Sequence, residues 1–293
     1  MAVLLLAHGT PDDVSEIPEY LANVTGGRPI PESVIEEIKH RYCLIGRSPL
    51  TSITLRQGEL LHAATGIPVY VGMRNWKPYI AEAIKQMRAD GVERAVALCL
   101  APQNSRTSVG LYRIVACREG DGIVIDFIES WHDHPDLIAA FAERLGAARA
   151  EADKDAMVLF TAHSVPARTI EDGDPYEDQC RETAKLVAHK IGLSDSEWAF
   201  AFQSQGMSGG PWIGPTVEDT LRRLKDEGVV HVVIQPIGFV CDHVEVLYDI
   251  DIAFREYGTK IGIDISRAES LNDSPKFIGA LADLARMRLL PVD

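Results

Sequence analysis

The chain has 293 residues, 46% of them hydrophobic and 25% charged, and a formal net charge of −14. That is enough apolar material for a sizeable core in one large domain or two modest ones. The negative charge argues against nucleic acid or an anionic membrane as partner.

The N-terminal MAVLLLAHGT lacks the charged start and the length of a signal peptide. No stretch approaches the roughly 20 apolar residues of a membrane span, so no integral membrane association is expected. Five scattered cysteines, at 43, 99, 117, 180 and 241, form no CxxC pair. They carry no iron–sulfur or structural-zinc signature and suit a reducing, cytoplasmic setting.

Short apolar runs then alternate with amphipathic segments. VLLLAH precedes helical patterns around Pro18–Leu21 and Glu32–Arg41. PVYVGM precedes YIAEAIKQMRADG, RAVALCLAP precedes a segment from Thr107 to Ala116, and GIVIDFI precedes LIAAFAERLGAARA. Continuous apolar strands alternating with helices predict an α/β fold whose parallel sheet is covered on both faces. The pattern restarts at DAMVLFTAHSVP, a strand that ends in Ala-His as AVLLLAHGT does. ETAKLVAHKIG then leads to EWAFAFQSQ, and TVEDTLRRLKDEG to HVVIQPIGFV. Two halves that begin alike suggest an internal duplication. The expected boundary lies near Ala150–Asp155, giving halves of 1–150 and 151–293. The second closes with SPKFIGALADLARMRLL, where Ser274 is the N-cap and Pro275 the first helical residue.

Ligands of open parallel sheets bind beyond the carboxyl ends of the strands. That rule selects His8, His163 and the acidic run Asp242–Asp249. It leaves His40, His62, His189 and His231 as surface or helix-side residues. An imidazole at a cleft mouth suits proton transfer near neutrality or metal binding, although strand-end histidines also serve as simple hydrogen-bonding caps. In DHVEVLYDID, a helix starting at Asp242 would stack Asp242, Glu245 and Asp249 on one face. Three carboxylates in line suit the passage of a divalent cation or of protons. The plainer reading is a capping box, with Asp242 at the N-cap and Glu245 at N3.

GMSGGPWIGP has neither the Lys-Ser/Thr of a phosphate loop nor GxGxxG, so a nucleotide site is rejected. Its Trp212 suits closure over a flat apolar ligand or ordinary packing. Arg28, Arg41-Tyr42 and Ser48 together suggest a ligand bearing several carboxylates.

AHGTP, SPLTSITLRQ, TAHSVP…GDPY, FQSQG…PWIGP and GFVCDHVEVLYDID resemble, in order and spacing, the motifs of ferrochelatases over about Leu4–Leu284. The similarity is greatest to the soluble bacterial type that metallates coproporphyrin III, with protoporphyrin IX the alternative substrate. The resemblance implies two similar Rossmann-like halves with a porphyrin cleft between them. It implies a lyase inserting Fe²⁺ into a porphyrin for haem biosynthesis, with no organic cofactor, no iron–sulfur cluster and a monomeric state. His163 and Glu245 fall on the pair at the metal-insertion site, with Asp242 and Asp249 as a possible relay. His8, Arg28, Arg41, Tyr42, Ser48 and Tyr112 fall on, or beside, substrate-contacting positions.

This sequence also departs from the pattern. His8 replaces a Tyr, and Thr25 replaces an Arg that binds a propionate. Asn75 and Ala253 replace the His and Glu of an outer metal site, so no tight Mg²⁺ binding is expected there. Two rival readings remain: a sirohydrochlorin- or cobalt-type chelatase, which also carries an AHG strand, and a non-catalytic porphyrin carrier.

Overall fold

The computed structural model describes residues 1–153, 155–206 and 210–289. The expectation attached to Met207–Gly209 of the Gly-rich loop, and the last residue of the closing helical pattern, fall outside them.

The first half runs β1 (Ala2–Ala7), α1 (Ile17–Thr25), α2 (Glu32–Ile45), α3 (Leu50–Thr65), β2 (Val69–Met73), α4 (Ile80–Ala89), β3 (Arg94–Cys99), α5 (Val109–Glu119), β4 (Val124–Ile128) and α6 (Pro135–Glu151). The second runs β5 (Met157–His163), α7 (Ala167–Glu171), α8 (Tyr176–Lys190), β6 (Trp198–Gln203), α9 (Val217–Asp226), β7 (His231–Pro236), α10 (Val244–Leu247), a π-helical turn (Asp249–Phe254), α11 (Arg255–Ile261), β8 (Asp264–Arg267) and α12 (Pro275–Leu289).

Each half forms a four-stranded parallel sheet, in the orders β2-β1-β3-β4 and β6-β5-β7-β8. The two orders are the same when β5 is counted as the counterpart of β1. The likeness of the two Ala-His strands thus extends to the whole topology.

The unbroken apolar runs follow from double coverage. In β1, Val3 and Leu5 face one core with α6 and α12, while Ala2, Leu4 and Leu6 face α4 and α5 on the other side. In β5, Val158 and Phe160 join the first of these cores, whereas Leu159 faces α9 and the π-helical turn. Period-two alternation therefore persists in strands that are apolar on both faces.

The closing helix begins at Pro275, with the Ser274 carbonyl accepting from Ile278 N–H at 3.0 Å. Its packing differs from its place in the chain. α12 docks on α3 and β3 of the first half, and α6 docks on α8 and β7 of the second. Phe141 and Phe277 are fully buried in the core that results. Truncating either to alanine costs about 3–5 kcal/mol by the usual cavity and transfer terms. Two buried glutamines add polar ties across the halves. Gln103 donates to Thr183 Oγ1 and to the Ile237 carbonyl, both at 3.1 Å, and Gln57 donates to the Asn272 carbonyl at 2.6 Å. The carboxyl ends of both sheets are thereby held over one cleft.

Candidate active site

His163 is the last residue of β5. Its Nδ1 is hydrogen-bonded to the Ser164 carbonyl, which can only accept, so Nδ1 carries the proton. The lone pair of the neutral ring is then on Nε2, which lies 3.7 Å from Glu245 Oε2. His243 is arranged in the same way. Its Nδ1 donates to the Cys241 carbonyl at 3.1 Å, and its Nε2 lies 3.8 Å from the same Glu245 oxygen. Three acceptor atoms therefore converge at distances too long for direct hydrogen bonds. Such a cluster attracts a proton or a cation. Burial alone would raise the Glu245 pKa, but the positive charge that His163 and His243 carry when protonated outweighs it and holds the carboxyl well below the usual range.

The scaffold behind these groups is tightly fixed. Gln203 donates to the Glu245 carbonyl at 3.2 Å, and the Tyr176 hydroxyl donates to the His163 carbonyl at 3.0 Å. A Cβ on Gly238 would meet Ala162 Cβ at 2.9 Å, so only glycine lets the loop after β7 approach the end of β5 this closely. The Trp212 and Phe239 rings flank His163, each with its centroid 6.4 Å away.

The opposite wall comes from the first sheet. His8 follows β1, and its Nε2 is 2.9 Å from the Tyr20 hydroxyl. Asn75 Nδ2 lies 3.1–3.2 Å from the His8 ring nitrogens. Burial, then the nearby Arg74 cation, push the His8 pKa down to about 3, so the imidazole is neutral at physiological pH. Glu245, His243 and His163 also act electrostatically on His8, so the two walls lie near one another. Gly9 has φ +79°, and a Cβ there would meet Met73 Cβ at 2.8 Å. The turn carrying His8 therefore requires glycine.

The structure brings most of the residues named from the sequence to this cleft. Tyr42 is buried with Tyr20 and Trp76, against Val244 of the other half, and among the described residues none hydrogen-bonds its hydroxyl. Ser48 is buried and accepts from Thr10 Oγ1 at 2.9 Å. Tyr112 is buried beneath the Arg74 guanidinium. Arg41 reaches across to the second half, lying over the Tyr248 ring at 4.8 Å and 3.5 Å from Asp249. Asp249 also accepts from Ser204, and burial pushes its pKa up. Arg28 stands apart: it is exposed, and its Nε donates to the Thr25 carbonyl at the end of α1.

Two expectations are corrected. Asp242 is neither an N-cap nor the head of a stacked line of carboxylates, because α10 begins at Val244 with His243 at its N-cap. Its carboxylate is occupied by Ser270 Oγ at 2.7 Å, Asn272 Nδ2 at 2.9 Å and Arg267 Nη1 at 3.2 Å. Arg267 in turn holds Asp251 through two bonds of 2.9 Å. With its lone pairs so engaged, Asp242 acts as an anchor for the loop rather than a stage for a passing ion.

His243, Tyr20, Arg74 and Asn75 were not singled out from the sequence as members of the site. Arg74 and Asn75 directly follow β2, so the strand-end rule could have found them; Tyr20 lies within α1 and carried no such signal.

Two parallel-sheet halves enclosing a cleft lined by histidine and carboxylate define the chelatase class of architecture. The solved structure of CbiX, the terminal enzyme for biosynthesis of sirohaem in denitrifying bacteria, superposes with a TM-score of 0.57 at 14% identity, covering 99% of this chain and 100% of that one. SirB from Bacillus subtilis with Fe³⁺ gives a TM-score of 0.60 at 12% identity, covering 97% and 94%. At these identities the likeness establishes the fold alone.

The sequence is more specific. The ferrochelatase family profile matches residues 1–289. A ferrochelatase of Acidobacterium capsulatum is 58% identical over 98% of this chain and 94% of its own length. The coproporphyrin III ferrochelatase of Bacillus subtilis is 36% identical over 99% and 98%. The chain belongs to the ferrochelatase family, the metal-inserting lyases of haem biosynthesis.

Proposed function

We propose that this enzyme inserts Fe²⁺ into coproporphyrin III, using His163 and Glu245 at the point of insertion. The observation that carries the proposal is the convergence of the His163 and His243 Nε2 atoms on one Glu245 oxygen, at 3.7 and 3.8 Å, facing the neutral His8. Free-base porphyrin and Fe²⁺ give the metalloporphyrin and two protons, with no change in iron oxidation state. The site therefore needs a group to guide the cation and a group to take protons. The His163 imidazole and ionised Glu245 fill these two roles between them, and His243 steadies the carboxylate.

His8, Tyr42, Tyr112 and Trp76 hold the faces of the macrocycle, while Ser48 and Arg41 serve its polar edge. Arg28, on the surface, meets a carboxylate only at the cleft rim. Binding energy from the ring faces and carboxylates is available to bend the macrocycle towards the incoming ion. Asp249, linked to Arg41, lies on the supply side of Glu245. No organic cofactor and no iron–sulfur cluster enter this scheme, and the working unit is a cytoplasmic monomer. Relatives named coproporphyrin III ferrochelatase, 36–38% identical over nearly the whole chain, support that substrate.

The test is anaerobic incubation with Fe²⁺ and coproporphyrin III, followed by absorption spectroscopy. Catalytic turnover, faster than with protoporphyrin IX and faster than Co²⁺ insertion into sirohydrochlorin, is the expected result. A stoichiometric spectral shift without turnover would overturn the proposal in favour of a carrier.

A further inference from the structure

Arg74 immediately follows β2, and its backbone N–H donates to the Ala7 carbonyl at 3.0 Å, which fixes it beside His8 at the carboxyl edge of the first sheet. Its guanidinium lies over the Tyr112 ring, 5.3 Å from the centroid. Its charge acts on His8, Tyr20 and Tyr112. Among the described residues no acceptor reaches its Nε, although that atom is buried, and no carboxylate pairs with it.

The other arginines around the cleft are committed. Arg41 pairs with Glu37 and Asp249, Arg267 with Asp242 and Asp251, and Arg28 donates to the Thr25 carbonyl. The chain has 43 acidic residues against 29 basic ones, so unpaired acids are plentiful, yet among the described residues none forms an ion pair with Arg74.

A guanidinium carries five donors in a planar fork that matches a carboxylate. Held over an aromatic ring, it keeps that fork in place. At the edge where parallel sheets receive ligands, such a group is a ready acceptor of an anion. The porphyrin core is neutral, so the anionic parts available to it are the carboxylate side chains of the macrocycle.

We propose that Arg74, backed by Tyr112, binds one carboxylate of the tetrapyrrole on the His8 side of the cleft. The inference rests on the porphyrin reading above. It adds a recognition contact not anticipated from the motifs, and it makes the number of substrate carboxylates a determinant of affinity.

The experiment measures binding of free-base coproporphyrin III, without metal, to wild type and to Arg74→Met, Arg74→Gln and Arg74→Lys, by fluorescence at several salt concentrations. Loss of a charge-assisted contact is expected to weaken binding by Met and Gln at least about tenfold, with part of the affinity restored in Lys. The salt dependence of binding becomes shallower in Met and Gln, a change that looser packing alone would not produce. In turnover assays the loss falls on KM more than on kcat. If Met and Gln bind coproporphyrin III as the wild type does, this inference is overturned while the proposed function stands. If the wild type binds no porphyrin, the proposed function falls and takes this inference with it.

Discussion

The neutral His8 has a measurable thermodynamic consequence. Its pKa falls from 6.5 to about 3 on folding, because of burial and then the Arg74 cation. Between those values the unfolded chain binds a proton that the folded chain refuses. Stability contributed by this group is therefore complete above the unfolded value and is lost as pH falls below it. At pH 5.0, about 1.5 units under the unfolded value, the loss is about 2 kcal/mol at about 1.36 kcal/mol per unit. The unfolded value sets that figure, since the native imidazole is still neutral at pH 5.0.

The perturbation is His8→Phe, which keeps a ring and removes the titration. It also removes the hydrogen bond to Tyr20, but that loss is the same at both pH values and cancels in the difference. The assay is reversible urea unfolding of wild type and variant at pH 7.5 and pH 5.0. Between these conditions the wild type should lose about 2 kcal/mol more than His8→Phe. Equal losses would refute the reasoning and mean that His8 is protonated as readily in the folded chain as in the unfolded one.

Three other outcomes are expected. Arg267→Met strands the carboxylates of Asp242 and Asp251, whose side chains are only 21% and 24% exposed. It should lower denaturant stability by about 2–4 kcal/mol, and Asp251→Asn in the same chain should recover part of that. Asn272 has φ 47° and grips Asp242 through both its backbone N–H and its carboxylate. Asn272→Gly tolerates that φ but releases the grip, so initial-rate assays should show metallation slowed about tenfold while porphyrin titrations change little. Asn75 is buried against His8 and offers no outward ligand, so calorimetry with Mg²⁺ should detect no tight site at Asn75 and Ala253.

Much of this architecture was legible in the chain. Continuous apolar strands, two of them ending in Ala-His, announced two parallel sheets with one shared pattern. The strand-end rule then selected His8 and His163 as cleft residues. The exchange of α6 and α12 between the halves was not legible. Amphipathic periodicity says which face of a helix is buried but not which sheet it covers, and Phe277 meets its core partners far away in sequence. The role of Asp242 was hidden for a related reason. Local spacing made it a cap or a relay, whereas Arg267 and Asn272, 25 and 30 residues further on, take up its oxygens. The π-helical turn at Asp249–Phe254 likewise shifts the helical register that simple i, i+4 counting assumes. His243 lay within a recognised motif, but its tautomer depends on the Cys241 carbonyl, a contact that only the folded loop creates.

The pairing of His163 with Glu245, side by side on one wall opposite His8, is tested most directly by single-turnover metallation with Fe²⁺ under anaerobic conditions. The comparison is of wild type, His163→Ala and Glu245→Gln, each preloaded with coproporphyrin III. Both variants should hold the porphyrin, and both should metallate it at least about 10²-fold more slowly than the wild type. Metallation by either variant at close to the wild-type rate would contradict the assignment of the site.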